Sequence, residues 1–591
     1  MDLANGTMNE KLERFQSFCL SETILSSFFY NGYLIYILIN SEYISKRDSR
    51  VRFLTGFSGS NAFALITRKE AMVWTDGRYF IQAQTELEPG WKLMKDGIPD
   101  SISTTDWMIQ NLSKGSRVAF DPQLYRHGKF DHFIYNVIHL PLKGNLVDCL
   151  WHDRPEENFG KVKDDYGIET NKKIERIRHE LRLKGCNTAI FTVLDDIAWL
   201  LNIRGSDIPY NPVVYAIIFM TPDQVHLFIS KRKLDTEILN HLANIVIHEY
   251  NEATEWIGKW LRSHKGQYKV KCNLVYLIHE QYLNSYDGVS QVSPIQFIKA
   301  VKNESELNGM RRSSIRDSAA IIEYLVWLEK QIAAGKEITE AAAGKKMDEF
   351  RSKQPLFVDL SFKTIAAVNE HAALPHYQST PVTGKELLTN ACIFLIDSGG
   401  HYRDGTTDVT RTIAFPDNRD MEFRRMFTLV LKGHIANAKL IFPDGINGIR
   451  MDALSRQYLW SDGLDFQHGV GHGVGHFLNV HEGPGGIRKG HVITIEPGFY
   501  AEGKWGIRIE NCYEVIAAVE MRSNAENFLA FSPLTLVPIQ KSLVDKTLLS
   551  SEEIEWFNRY HAMCFEKVGP YLSETNKKKE YEWLVNACAP I

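Results

Sequence analysis

At 591 residues the chain is too long for one ordinary domain, and its composition of 44% hydrophobic and 24% charged residues is that of a packed globular protein of about two to four domains. A net charge of -4 carries no basic excess of the kind that nucleic acid or an anionic membrane surface requires, so neither is expected as a partner. Eight cysteines, spread from Cys19 to Cys588 without a CxxC pair, exclude a disulfide-built secreted domain and fit a reducing compartment.

From Thr23 to Ser41 no residue is formally charged. An export signal or membrane anchor is therefore the lesser reading, under which the sequons at Asn5, Asn111 and Asn303 would matter. Ser26, Ser27, Asn31 and Gly32 interrupt the stretch, and the charges before it are mixed. The preferred reading is an opening helix, then a buried strand from Tyr33 to Ile39, in a cytoplasmic protein. Strands at Ala62 to Ile66 and Ala71 to Trp74 alternate with helical stretches, which predicts an α/β domain over 1–150. Gly56, Gly59 and Gly77 lack the spacing of a phosphate loop and read as turn residues.

A Pro- and charge-rich linker begins at Trp151, after which the pattern restarts. A charged helix, Asn171 to Lys184, precedes a strand, Thr188 to Val193, so a second α/β domain is expected over 151–302. Its loop from Arg204 to Pro212 is a candidate to reach an active site, with a structural role for its prolines as the rival reading. Near Lys302 the character changes again. Ile321, Leu325, Leu328 and Ile332 share one helical face, and a further helix is expected near Phe427 to Leu440. This third domain is placed at 303–540. A helical extension, 541–591, opens with the capping box Ser550-x-x-Glu553 and carries Ile554, Phe557, Cys564 and Val568 on one side.

The third domain holds the chemistry. An apolar run, Ala391 to Ile396, ends in Asp397; Gly-rich punctuation follows, and Asp408 opens a second β-type run, Val409 to Phe415. The alternation predicts a hairpin with the two carboxylates across its mouth. The pattern returns as Val492 to Ile495 with Glu496, then a tip, then Ile507-Arg508-Ile509-Glu510, read as a second hairpin with a second acid pair. Between them lies His468-Gly-Val-Gly-His472-Gly-Val-Gly-His476, too rich in glycine for a helix. Four carboxylates gathered in one place would repel or take up protons unless cations neutralised them. A largely oxygen donor set with one imidazole suits a pair of Mn, Co or Zn ions better than a structural zinc.

The segments IDSGGHYRDGTTDVTRT, HGVGHGVGHFLNVHEGP, TIEPGFY and GIRIEN resemble the metallopeptidase family of pitta-bread fold, and within it the three-domain, animal-type Xaa-Pro aminopeptidases. FLTGFSGS and WTDGRYF near the N-terminus extend the likeness. It implies two creatinase-like α/β domains, a pitta-bread catalytic domain and a C-terminal helical extension. It implies Asp397, Asp408, His472, Glu496 and Glu510 as ligands of two divalent metal ions, manganese by preference, with Asp408 and Glu510 bridging. It also implies Glu496 as a proton shuttle; His376, His468 and His481 as catalytic and substrate-contacting residues; and Arg508 and Tyr500 beside the ligand set. The expected activity is release of the first residue from peptides with proline second, by a metal-activated water, in a protein expected to be a homodimer.

After His481 the chain returns to Val492 through a loop shorter than relatives usually carry, which alters the pocket rim. The alternatives are a prolidase, which cleaves only dipeptides, and a ligand-losing pseudo-peptidase that binds protein. The second is disfavoured because all five ligand positions are present.

Overall fold

The computed structural model describes residues 11–14, 26–31, 43–67, 69–121, 137–141, 145–156, 161, 163–164, 169–264, 270–272, 289–290, 293–379, 383–418, 420–483, 485–520 and 527–591. These fall into two units, Met1–Ile295 and Gln296–Ile591.

The first unit contains the same sheet twice. In one copy the strands lie in the order Trp91–Lys95, Ala71–Thr75, Ala62–Thr67, Ser26–Asn31, Ser116–Phe120, Val137–Pro141. In the other they run Val246–His248, Val225–Ile229, Ala216–Met220, Thr188–Phe191, Val270–Cys272, Val289–Ser290. Both share the chain order 4-3-2-1-5-6. Both also share the pairing senses: parallel at each flank and antiparallel for the hairpin and its junction with the first strand. A repeated topology of this detail supports internal duplication. Tyr215 of the second copy donates from its hydroxyl to Asp48 of the first at 3.0 Å.

Residues 11–14 are helical, and the first strand of the first copy falls at Ser26–Asn31, ahead of the strand expected from Tyr33. Its Phe-Phe-Tyr run favours a pleated surface over a helix, whose preceding turn crowds aromatic side chains. The expected strand Tyr33 to Ile39 lies outside the described residues. Among the described residues no helix is long and apolar enough to cross a membrane.

Helix α1 (Pro294–Ala300) carries the chain into the second unit, and the long α2 (Glu304–Ala333) follows. Asn303 caps α2, its side chain accepting from the Glu306 amide while Glu306 reaches back to the Asn303 amide. The predicted face Ile321, Leu325, Leu328 and Ile332 is buried against α3 (Glu340–Ser352) and the neighbouring strands. Each such side chain contributes about 1.5–3 kcal/mol.

Four sheets frame the site. One is β1 (Phe357–Leu360) with the short β4 (Gly400–Tyr402) and β5 (Gly405–Thr406). A second holds β2 (Ile365–Val368), β3 (Ile393–Ser398) and β6 (Val409–Ala414). A third has the order β7 (Ile441–Pro443), β12 (Phe528–Pro533), β11 (Asn511–Ala517), β8 (Val492–Ile495). The last is the hairpin β9 (Gly498–Ala501) and β10 (Trp505–Arg508). Helices α4 (Met421–Ala438) and α5 (Ile449–Trp460) back the second pair of sheets. The extension forms α6 (Ser551–Glu574), opened by the predicted capping box, and α7 (Lys578–Ala587). Phe557, Cys564 and Val568 of α6 are fully buried, and Ile554 packs partly buried against the same core.

Candidate metal centre

The first acid pair sits as its alternation predicts. β3 and β6 run antiparallel with Asp397 opposite Thr410 and Ser398 opposite Val409, and Asp408 stands just before β6. The intervening residues are more than a turn, since β4 and β5 form a small hairpin of their own that joins β1.

The second pair is built differently from the single hairpin expected. β8 pairs with β11, with Ile495 opposite Asn511, whereas β9 pairs with β10, with Gly498 opposite Arg508. Pro497 has no N–H to continue the first ladder, so the chain changes partner immediately after Glu496. Glu496 and Glu510 therefore stand together at the crossing between two ladders. Gly506 lets the β9–β10 hairpin pack against the turn that precedes His376, because a Cβ there would lie 1.7 Å from the Ala372 carbonyl oxygen.

The His-Gly segment is extended, as its glycines imply, and lies alongside β8. The Thr494 amide donates to the His472 carbonyl and the Glu496 amide to the Val470 carbonyl, each at 2.8 Å. A Cβ on Gly471 would meet the Thr494 carbonyl oxygen at 2.0 Å, so only glycine lets this strip approach β8. Gly471→Ala is expected to push His472 away and weaken metal binding by about 10- to 100-fold, the usual cost of losing ligand orientation. Metal titration by calorimetry checks this, and unchanged affinity would refute it.

These segments bring the five predicted ligands together. His472 Nε2 lies 3.5 Å from Asp408 Oδ2 and 3.3 Å from Glu496 Oε1. Three overlapping sets each present donor atoms within 4.8 Å of one another: Asp397, Asp408 and Glu510; His472, Glu496 and Glu510; and Asp408, His472 and His481. The His481 ring is 4.1 Å from that of His472, edge to face. His472 Nδ1 lies 2.9 Å from the Gly473 carbonyl oxygen, which leaves Nε2 facing the acids.

The other predicted residues form a chain behind this cluster. His468 Nε2 lies 2.7 Å from the Tyr500 hydroxyl, which receives a bond from Arg508 Nη1 at 2.9 Å. Arg508 Nη2 donates to Asp397 Oδ2 at 2.6 Å. His376 is half-buried, and its neighbour is tied to the group: the Pro375 carbonyl accepts from Arg508 Nη1 at 3.3 Å.

The electrostatics call for cations. Burial foremost, with the Asp397 and Glu496 charges, pushes the Asp408 carboxyl up to about 6 against the pull of His472. Burial together with Asp408, Glu496 and Asp397 raises Glu510 well above the ordinary carboxylate range. Burial would lower His472, but its bond to Asp408 and the Glu496 charge outweigh that and lift it to about 9. Burial also lifts Tyr500 to about 12, despite Arg508. Asp397 Oδ1 is buried with no hydrogen-bond partner. A buried orphan carboxylate oxygen on a residue grouped with Asp408 and Glu510, beside the set of His472, Glu496 and Glu510, fits a dinuclear metal site.

Residues outside the predicted set hold the ligands in place. Thr410 Oγ1 donates to Glu510 Oε2 at 2.7 Å and accepts from Arg508 Nε at 3.0 Å. Thr494 Oγ1 donates to Glu496 Oε1 at 3.2 Å. Arg411 Nη1 bonds the Thr410 and Glu510 carbonyls at 2.8 and 2.7 Å. Its Nη2 bonds the Val537 carbonyl and the Tyr560 hydroxyl of α6 at 2.6 and 2.9 Å. The one signal in the sequence was the polar run Thr410-Arg411-Thr412 in an otherwise apolar strand.

Fold and site together define a pitta-bread metallopeptidase. Metallopeptidase family M24 matches residues 308–517. The Creatinase/Prolidase N-terminal domain matches twice, over 36–136 and 153–306, and the C-terminal region of peptidase M24 matches 527–591. The chain is 47% identical to Xaa-Pro aminopeptidase app-1 of Caenorhabditis elegans, over 99% of this chain and all of that one. It is 35% identical to Xaa-Pro aminopeptidase 1 of Dictyostelium discoideum, covering 93% and 92%. The crystal structure of X-prolyl aminopeptidase from C. elegans, described as a cytosolic enzyme with a di-nuclear active site, superposes with a TM-score of 0.95 at 45% identity, covering 98% and 99%. The chain belongs to the Xaa-Pro aminopeptidases of metallopeptidase family M24, in their three-domain form.

Proposed function

We propose that this protein is a manganese-dependent aminopeptidase that removes the first residue from peptides with proline in second position. The observation that carries this is the pair of overlapping donor sets, Asp397, Asp408 and Glu510 with His472, Glu496 and Glu510, in a chain 47% identical to the C. elegans enzyme. In this reading Asp408 and Glu510 would hold both ions, Asp397 one, and His472 and Glu496 the other. When bound, the metal pair supplies Lewis acidity and an activated water at neutral pH.

The protein's own groups do the rest. Arg508 occupies Asp397 Oδ2 and so leaves Oδ1 for a cation. The free amine of the substrate is held on the Asp397 side. Glu496 carries a proton toward the departing proline nitrogen, and His376 or His481 donates to the developing oxyanion. His468 and Tyr500, bonded to each other, line the pocket with Arg508. The amide before proline has no N–H to be read, so the ring is selected by shape.

Assay of purified protein with manganese on Arg-Pro-Pro and on Gly-Pro tests the reading. Cleavage of the tripeptide but not the dipeptide is expected, and the reverse would make it a prolidase. We place the protein in the cytosol as a homodimer, as the family resemblance implies. Cell fractionation and sedimentation velocity at micromolar concentration check these two points.

Metal binding should also tighten with pH. His472, raised from 6.5 to about 9, lends the metal-free protein stability that is fully present below 6.5 and lost as pH rises through 9. Asp408, raised from 3.8 to about 6, lowers stability progressively as pH rises through that interval, and the cost is complete above 6. A cation must displace the His472 proton, so affinity is expected to rise about tenfold per pH unit between 7 and 8.5. Calorimetric titration in buffers of different ionisation enthalpy reads the released proton. Equal affinity across that range would exclude His472 as a donor.

A further inference from the structure

The feature the proposed chemistry leaves unexplained is a buried ionic triad beside His481. Lys299 of α1 donates from Nζ to Glu482 Oε1 at 2.7 Å, and Lys302, just before α2, donates to Glu482 Oε2. The three side chains are only 3%, 1% and 2% exposed for Lys299, Lys302 and Glu482. Burial pushes the Glu482 carboxyl up, but the two ammonium groups outweigh it and hold it at about 2. Such an arrangement is a poor source of stability. Removing each ion from water costs several kcal/mol, and well-packed apolar replacements are often neutral or stabilising.

Its position suggests another role. Glu482 exchanges both backbone hydrogen bonds with Gly473, at 2.8 and 2.7 Å, and Gly473 also bridges to Ile493 of β8. The strip carrying His481 is thus laid against the residue that follows His472, and the two imidazoles end 4.1 Å apart. The same strip is tied to α1 again where Gln296 Nε2 donates to the Gly483 carbonyl at 3.1 Å. The Lys302 amide donates to the Gly490 carbonyl at 2.9 Å, closing the loop from its far end. An ionic clamp supplies a directional anchor there that an apolar contact, free to slide, would not.

We infer that Lys299, Lys302 and Glu482 are positioning residues that hold His481 against His472 and the metal cluster. The inference rests on the proposed role of His481, and its test separates the two. The triple variant Lys299→Met, Lys302→Met and Glu482→Met replaces the clamp with apolar chains of similar length. It is expected to melt no lower than the native protein and to retain its metal, while kcat on Arg-Pro-Pro falls about 10- to 100-fold with little change in KM. In a His481→Ala background the same three changes should cost nothing further, because the clamp acts through that ring. A crystal structure of the triple variant should show the His481 ring displaced from His472. Should the triple fail to fold, Lys299→Met alone leaves a balanced Lys302 and Glu482 pair and is expected to lose about tenfold in kcat. Undiminished kcat with His481 in place would overturn the inference, as would an equal loss in the His481→Ala background. If the native protein hydrolyses no Xaa-Pro peptide yet the variant displaces His481, the clamp stands and the proposed activity falls.

Discussion

Replacing Glu496 by alanine is expected to reduce turnover of Arg-Pro-Pro by about 10²- to 10⁴-fold, the range for losing a positioned proton carrier. The site explains why the effect should be so large. Glu496 Oε1 is 3.3 Å from His472 Nε2 and receives the Thr494 hydroxyl at 3.2 Å, so this carboxylate is aimed at the cluster from below. Its backbone is fixed as well, through the amide bond to the Val470 carbonyl. Alanine leaves the strand geometry intact, so the loss belongs to the carboxylate. Measuring metal content beside kcat separates its two proposed roles. One ion lost with activity identifies it as a ligand, whereas Glu496→Gln that keeps both ions but not turnover identifies the proton carrier. Full turnover by the alanine variant with both ions bound would remove Glu496 from the mechanism.

The second large effect is on stability and lies behind the first hairpin. Asp317 of α2 accepts from Arg351 Nε at 2.6 Å and Nη2 at 3.1 Å, and from the Tyr402 hydroxyl at 2.7 Å. Arg351 is fully buried; its Nη2 also reaches Ser398, the residue after Asp397, while its Nη1 has no hydrogen-bond partner. Asp317→Ala strands a guanidinium without its counter-charge, which costs about 3–5 kcal/mol. Thermal unfolding should show the second unit melting well below its native temperature. Replacing Asp317 by leucine and Arg351 by methionine together should recover most of that loss, since the penalty lies in the unpaired ion. A single variant as stable as the native protein would mean that the network is relaxed by water and carries little energy.

These two sites also mark how far reading the chain can go. Which histidine of the His-Gly run joins the acids comes from the family resemblance alone; Asp397, Asp408, Glu496 and Glu510 are legible as two acid pairs because alternation, glycine punctuation and acid spacing are local properties, and local sterics dictate strand, turn and cap. The same holds for the α2 face and the Ser550 to Glu553 capping box, both found where expected. The doubled first unit was visible as a restart after the linker. Its identical strand order emerged only from pairing, and alternation states which face a residue takes but not which strand lies beside it.

The same limit explains the second acid pair. The run from Val492 to Glu510 reads as one hairpin, yet β8 finds its partner in β11 once Pro497 breaks the ladder. Partners separated by a hundred residues or more leave no trace in spacing. Thr410 meets Glu510, Arg411 meets Tyr560, and Lys299 meets Glu482 only because packing excludes water and forces each buried polar group to find a mate. The sequence by itself named the candidate donors, the class of fold and the chemistry they point to. The tertiary structure alone decided what steadies those donors, because burial creates that demand and only the folded chain says who is near enough to meet it.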